Sequence, residues 1–226
     1  GHGGVGKTSL IKHIINTYAR KGLNVGNTAT TATAATLTDA FTLERWLGIS
    51  DVKLHGKALL HSIQQRKDVV ERIRDTNVLI IDECSMMSYE RYQDVKLILK
   101  EIRQSKEYFG GITVILAGDF LQFEPVDAED QRSVQFIFED PEFHKHVHDT
   151  IELKHNYRVI CPKLRSILEN LERGRLTTQN ITDLKSRSFD SMKTAKLPSN
   201  AIHVLPTWKE VNTVNYRFLQ NLKGDK

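Results

Sequence analysis

Residues 1–8 read Gly-His-Gly-Gly-Val-Gly-Lys-Thr. This is the G-x-x-x-x-G-K-[ST] pattern of a phosphate-binding loop. The glycines Gly1, Gly3, Gly4 and Gly6 let the backbone turn tightly enough for its N–H groups, with those of Val5 and Ser9, to surround phosphate oxygens. Lys7 is of the type and at the spacing to reach β and γ phosphates, and the Thr8 hydroxyl can ligate Mg²⁺. The helix expected next points its positive end at the same anion. Its signature is present: Leu10, Ile11, Ile14, Ile15 and Tyr18 recur at helical spacing, and Gly22 stands where a C-cap belongs. A P-loop normally lies between a strand and a helix. No strand and no initiator Met precede Gly1, so a fragment of a longer protein is expected.

Further along, Leu79-Ile80-Ile81-Asp82-Glu83 is an apolar run ending in two acids. In open α/β sheets, ligands sit at the carboxyl ends of strands. Asp82 is then expected to hold Mg²⁺, directly or through water, and Glu83 to polarise an attacking water. A solvated strand-to-loop turn carries the same residue types; the upstream P-loop favours the metal reading. Ile115-Leu116-Ala117-Gly118-Asp119-Phe120-Leu121-Gln122 repeats the design, and Gln122 is placed to sense a γ-phosphate. Arg158, after the run Leu153-Lys154-His155-Asn156-Tyr157, could reach across a cleft to the same phosphate; its rival role is a surface ion pair. Thr28–Ala35 is small and hydroxyl-rich, which suits close approach to a sugar-phosphate backbone, but composition alone prefers a Thr-capped turn. Phe41, Trp46 and Phe120 could stack on bases, or belong to a core. His144, His146 and His148 alternate, so an extended segment would carry three imidazoles on one face; a solvated stretch is preferred to a metal site.

Elements must position these groups. Short β-rich runs alternate with helical patterns, which predicts an α/β fold with a parallel sheet. Strands are expected at 24–28, 77–81, 112–117, 150–153 and 201–205. Helices are expected at 88–102, 162–173 and 208–222, and a loop at 186–200. The charge balance is +4 with a pI near 9.0, a basic bias compatible with nucleic acid. Cys84 and Cys161 give neither a disulfide framework nor zinc spacing, so a reducing, intracellular setting is expected. No apolar run reaches membrane-spanning length, and no membrane partner is expected.

The motifs together resemble the superfamily-1 DNA helicases of the petite-integration-frequency (PIF-one) type, relatives of RecD. Gly1–Thr8 resembles their motif I and Thr28–Ala35 their motif Ia. Thr42-Leu43-Glu44-Arg45-Trp46-Leu47-Gly48-Ile49 is similar to their Thr-Leu-His-Ser-Phe-x-Gly-Ile element. Asp82-Glu83-Cys84-Ser85-Met86 matches motif II, and Gly118–Val126 matches motif III. Asn156-Tyr157-Arg158 falls at motif IV, whose arginine acts as a finger. The resemblance implies a RecA-like P-loop NTPase domain at 1–156 and the beginning of a second RecA-like domain at 157–226. It also implies ATP and Mg²⁺, 5′-to-3′ movement on single-stranded DNA, and work on duplex or forked DNA in repair, recombination or telomere maintenance. The compartment would be nucleus or mitochondrion in a eukaryote and cytoplasm otherwise. Catalysis is then assigned to Lys7, Glu83, Gln122 and Arg158, metal to Thr8 and Asp82, and DNA contact to Thr28, Thr30, Thr31, Trp46 and Phe120. The chain departs from the pattern at Ala32, Glu44, Arg45 and Glu124, and motifs V and VI are not within it. A nucleotide- or DNA-binding remnant without motor activity is the alternative.

Overall fold

The computed structural model describes residues 1–125, 135–188 and 201–220. The elements run α1 Lys7–Arg20, β1 Val25–Ala29, α2 Ala32–Thr38, β2 Phe41–Thr42, α3 Leu43–Leu47, α4 Gly56–Gln64, α5 Lys67–Asp75, β3 Val78–Asp82, α6 Tyr89–Arg103, β4 Thr113–Leu116, α7 Phe143–His146, α8 Pro162–Glu172, α9 Thr178–Lys185 and α10 Trp208–Gln220. The chain divides into two compact units, Gly1–Leu168 and Glu169–Lys226.

In the first unit, β2-β1-β3-β4 form a four-stranded parallel sheet. Strand β3 explains its architecture. Every residue from Val78 to Asp82 is buried, so the strand is covered on both faces, as its unbroken apolar run requires. Val78 and Ile80 pack with Ile11, Ile14, Ile15 and Tyr18 of α1. Leu79 and Ile81 point the other way, into the larger core with Leu43, Leu59, Ile63, Val69, Tyr92 and Leu99. Each fully buried aliphatic side chain contributes about 1.5–3 kcal/mol. The parallel register then fixes the site. Ala29 lies beside Asp82, and Ile81 beside Leu116, so the carboxyl ends of β1, β3 and β4 meet at one edge.

Helix α6 starts where the sequence pattern places it. Ser88 caps it by accepting from the Arg91 N–H at 3.2 Å, and Tyr92, Val95, Leu99 and Ile102 form its buried stripe. Two expected strands are not formed. Residues 150–153 form no ladder, although Leu153 lies beside Gly1, and residues 201–205 form none either. A β-rich run needs a neighbour with free edge groups. Ile202 and Val204 are 91% and 93% exposed, with no such neighbour among the described residues.

In the second unit, a capping box opens α9: Thr177 Oγ1 accepts from Asn180 N–H, and Asn180 Oδ1 accepts from Thr177 N–H. Helix α10 buries none of its residues and borders a groove with Ile202, Leu205, Val211 and Phe218. This groove holds none of the site chemistry. Most of the expected loop at 186–200, and residues 221–222 of the expected last helix, lie outside the described residues. No helix among the described residues is long and apolar enough to cross a membrane.

Candidate active site

The P-loop wraps the amino end of α1. Gly4 and Gly6 hold left-handed backbone, φ 83° and 92°, which places the chain for a tight turn into Lys7. No side chain caps α1, so its first N–H groups are left for an anion. Val5 is buried and anchors the loop, while Thr8 is half-buried and Ser9 exposed. Lys7 Nζ folds back to donate to the carbonyls of Gly1 at 2.6 Å and His2 at 3.1 Å. Gly1 itself donates to the Gly118 carbonyl at 3.0 Å, which brings the loop to the carboxyl end of β4.

Asp82 ends β3, only 4% exposed, and its Oδ1 accepts the Glu83 N–H at 2.9 Å. Burial pushes its carboxyl above the ordinary value, while that hydrogen bond and the Lys7 charge pull the other way. Burial, then the Asp82 charge, raise Glu83 as well. Glu83 has φ 53°, a strained conformation for a non-glycine residue, of the order of 1–3 kcal/mol. Thr30 helps to hold it there: its hydroxyl donates to the Glu83 carbonyl at 2.7 Å, and its N–H to the Asp82 carbonyl at 3.0 Å. Cys84 is buried, and burial beside the two acids pushes its thiol up to about 12, which keeps it neutral.

Gln122 and Arg158 come to the same loop. A Cβ built on Gly3 would lie 3.7 Å from Gln122 Nε2 and 3.8 Å from Arg158 Nη1. Gln122 is held by Asp119, which accepts from its Nε2 at 2.6 Å and from Leu121 N–H at 3.2 Å. Burial alone would raise the Asp119 carboxyl, but these donors and the Lys7 charge hold it low. Sequence reasoning gave Asp119 no role; its Asp-x-x-Gln spacing was the available signal. The Tyr157 N–H donates to the Gly4 carbonyl at 2.8 Å, and Asn156 Nδ2 to the Gly3 carbonyl at 3.0 Å. Arg158 is therefore seated against the P-loop inside the same compact unit, instead of across a cleft, because its loop bonds directly to the glycine backbone. The competing surface ion pair is not formed: among the described residues Arg158 has no carboxylate partner.

The expected DNA contacts divide. Trp46 is 3% exposed, packed in the core and close to Gly26, so it offers no face to a base, and that expectation is corrected. Thr28 is likewise corrected: fully buried, its hydroxyl donates to the Ile80 carbonyl at 2.6 Å. Thr30 is committed to Glu83, and Thr31 caps α2 by accepting from the Ala34 N–H. Phe120 is half-buried, edge-on to Phe136 and Phe138; Phe138 is 45% and Phe123 74% exposed. The three histidines do not share an extended face, because Phe143–His146 is helical and His146 packs under Tyr92 and Tyr108. Glu124 is exposed, and Val126 lies outside the described residues.

A family model described as PIF1-like helicase matches residues 1–182. The ATP-dependent DNA helicase RRM3 of Saccharomyces cerevisiae is 31% identical over 230 residues, covering 100% of this chain and 31% of that protein. The crystal structure of Pif1 helicase from Candida albicans superposes with a TM-score of 0.86 at 30% identity, covering 100% of this chain and 51% of that one. The Pif1 helicase from Bacteroides in complex with ADP-AlF3 and ssDNA gives a TM-score of 0.78 at 25% identity, over 98% of this chain and 52% of that one. The chain thus spans about a third of its curated relative and about half of the solved chains.

Proposed function

Because the chain belongs to the PIF1-like helicase family, we propose that it carries the nucleotide-hydrolysing core of an ATP-dependent 5′-to-3′ DNA helicase. The observation that supports this most is convergence. The P-loop, the Asp82-Glu83 pair, Gln122 and Arg158 come from four separate places in the sequence. The structure gathers them at one edge of one sheet.

ATP is the substrate. The N–H groups of Gly4–Ser9 bind its phosphates, and Lys7 leaves the Gly1 and His2 carbonyls to neutralise the β and γ oxygens. Glu83 accepts the proton of the attacking water as its oxygen bonds to the γ-phosphorus and the bond to the β-phosphate oxygen breaks. Gln122 orients toward the γ-phosphate, and Arg158 stabilises charge developing there. Thr8 and Asp82 would hold Mg²⁺. The fit rests on a hard oxygen donor set and on Asp82, a carboxylate buried at the carboxyl end of β3 and raised above its ordinary value by that burial, which an adjacent cation would offset. The ion would neutralise phosphate charge.

Gly1–Leu168 is read as the first motor domain, 1–156 with the Arg158 loop seated on it, and Glu169–Lys226 as the opening of a second. Single-stranded DNA and forked duplex are the proposed partners, met inside the cell. Relatives are named ATP-dependent DNA helicases, and one neighbour holds ssDNA, which supports this reading. Thr30 and Thr31, at the carboxyl end of β1, and the Phe120 region remain the proposed DNA face. The intact protein is to be given ATP and duplexes with a single 5′ or 3′ tail. Separation of the 5′-tailed substrate is expected. Preference for the 3′ tail, or no ATP-dependent separation, refutes the proposal.

A further inference from the structure

Arg158 cannot act from a floppy loop. A group misplaced by about 1 Å loses on the order of a hundredfold in rate, and Arg158 is an exposed side chain on a stretch without regular secondary structure. Two other side chains give this loop its shape. Asn156 Oδ1 accepts from the Arg158 and Val159 N–H groups, both at 2.9 Å, closing a turn around Arg158. Its Nδ2 donates to the Gly3 carbonyl, so the same amide ties the turn to the P-loop. On the other side stands Arg165, in the first turn of α8. Its Nε and Nη2 donate to the Val159 carbonyl at 3.2 and 2.8 Å, and Nη2 reaches the Asn156 carbonyl at 3.3 Å. The two carbonyls flank Arg158 in sequence. One rigid, planar guanidinium thus spans both ends of the turn, a fork that a lysine lacks.

We propose that Asn156 and Arg165 are positioning residues for Arg158, Asn156 fixing the finger's turn to the P-loop and Arg165 fixing it to α8. This rests on the hydrolytic role proposed for Arg158. It goes further by assigning a function to Arg165, a helix residue outside every motif recognised in the sequence. It also makes the finger's position depend on the conformation of the Gly3–Gly4 backbone, to which the Asn156 amide and the Tyr157 N–H are bonded.

The test uses single-stranded-DNA-stimulated ATP hydrolysis by the intact protein, with kcat and KM separated and binding of a fluorescent ADP analogue measured directly. Arg165→Ala is expected to lower kcat by roughly 10- to 100-fold while KM and nucleotide binding stay within about threefold. Arg165→Lys, which keeps one donor, should fall between the two. In an Arg158→Ala background, Arg165→Ala should cost nothing more. A kcat within threefold of wild type overturns the proposal. So does a loss that persists undiminished in the Arg158→Ala background, because Arg165 would then act elsewhere. If Arg165→Ala unfolds at the assay temperature, Arg165→Lys and the same background comparison carry the test. Failure of the underlying reading looks different: Arg158→Ala itself would then hydrolyse ATP at the wild-type rate.

Discussion

Gly4→Ala should disable ATP hydrolysis by pushing on Arg158. Gly4 has φ 83°, and a Cβ there would lie 2.5 Å from Arg158 Cβ and 3.0 Å from Asn156 Oδ1. Non-bonded carbons rest at about 3.5–4.0 Å, so the finger's turn must retreat by about 1–1.5 Å. Displacement of that size costs on the order of a hundredfold in rate. Left-handed backbone adds about 1–2 kcal/mol of instability. Neighbouring glycines separate the two effects. A Cβ on Gly3 meets its nearest atoms, Gln122 Nε2 and Arg158 Nη1, at ordinary distances of 3.7 and 3.8 Å. Gly3→Ala should therefore hydrolyse ATP within a few-fold of wild type. Gly6 shares the positive φ, with nothing within 4 Å of its Cβ, so the melting shift of Gly6→Ala calibrates strain alone. The assay is steady-state ATP hydrolysis with saturating single-stranded DNA, beside thermal melting. If Gly4→Ala turns over within threefold of Gly3→Ala, the seating of Arg158 on the P-loop is wrong.

Three further outcomes are expected. Lys7→Ala should abolish hydrolysis and leave binding to labelled single-stranded DNA largely intact; ATPase within a few-fold of wild type removes the phosphate role. Thr30→Val should lose the hydrogen bond that holds the Glu83 carbonyl, costing about 1 kcal/mol of stability and roughly tenfold in kcat. Thr30→Ser should restore both, and equal rates for Val and Ser would show that the hydroxyl does not hold Glu83. His146 is buried and its imidazole is held below the ordinary value of 6.5 by that burial and by Lys96. The unfolded state then binds the proton that the folded state rejects, so stability should fall as pH drops below about 6.5. Urea unfolding at a series of pH values measures this, and His146→Phe should flatten that limb.

Much of the fold was legible because β3 and α6 state their own surroundings. An unbroken apolar strand must be covered twice, and a Ser-capped helix with a four-residue stripe must lie on a core. Residues 150–153 and 201–205 carry the same local signal. Local signal cannot say whether a partner strand is present, and here none is among the described residues. The P-loop and the two acids were legible because their chemistry demands fixed spacing. Trp46 was not, since an indole for a base and an indole for a core look alike until burial is seen. Thr28 was misread for the same reason: its hydroxyl satisfies a neighbouring strand's carbonyl. Asp119, Asn156 and Arg165 act by holding other residues in place. Such partners are set by tertiary proximity, and no periodicity marks them.

The central claim is that this sheet edge hydrolyses ATP with Glu83 as the base. Glu83→Gln keeps the shape and removes the proton acceptor, so one comparison decides it. Single-stranded-DNA-stimulated phosphate release by the intact protein should be brisk for wild type. For Glu83→Gln it should fall by about 10²–10⁴-fold, with ATP binding retained. Hydrolysis by the variant at the wild-type rate, or no hydrolysis by wild type, contradicts the account.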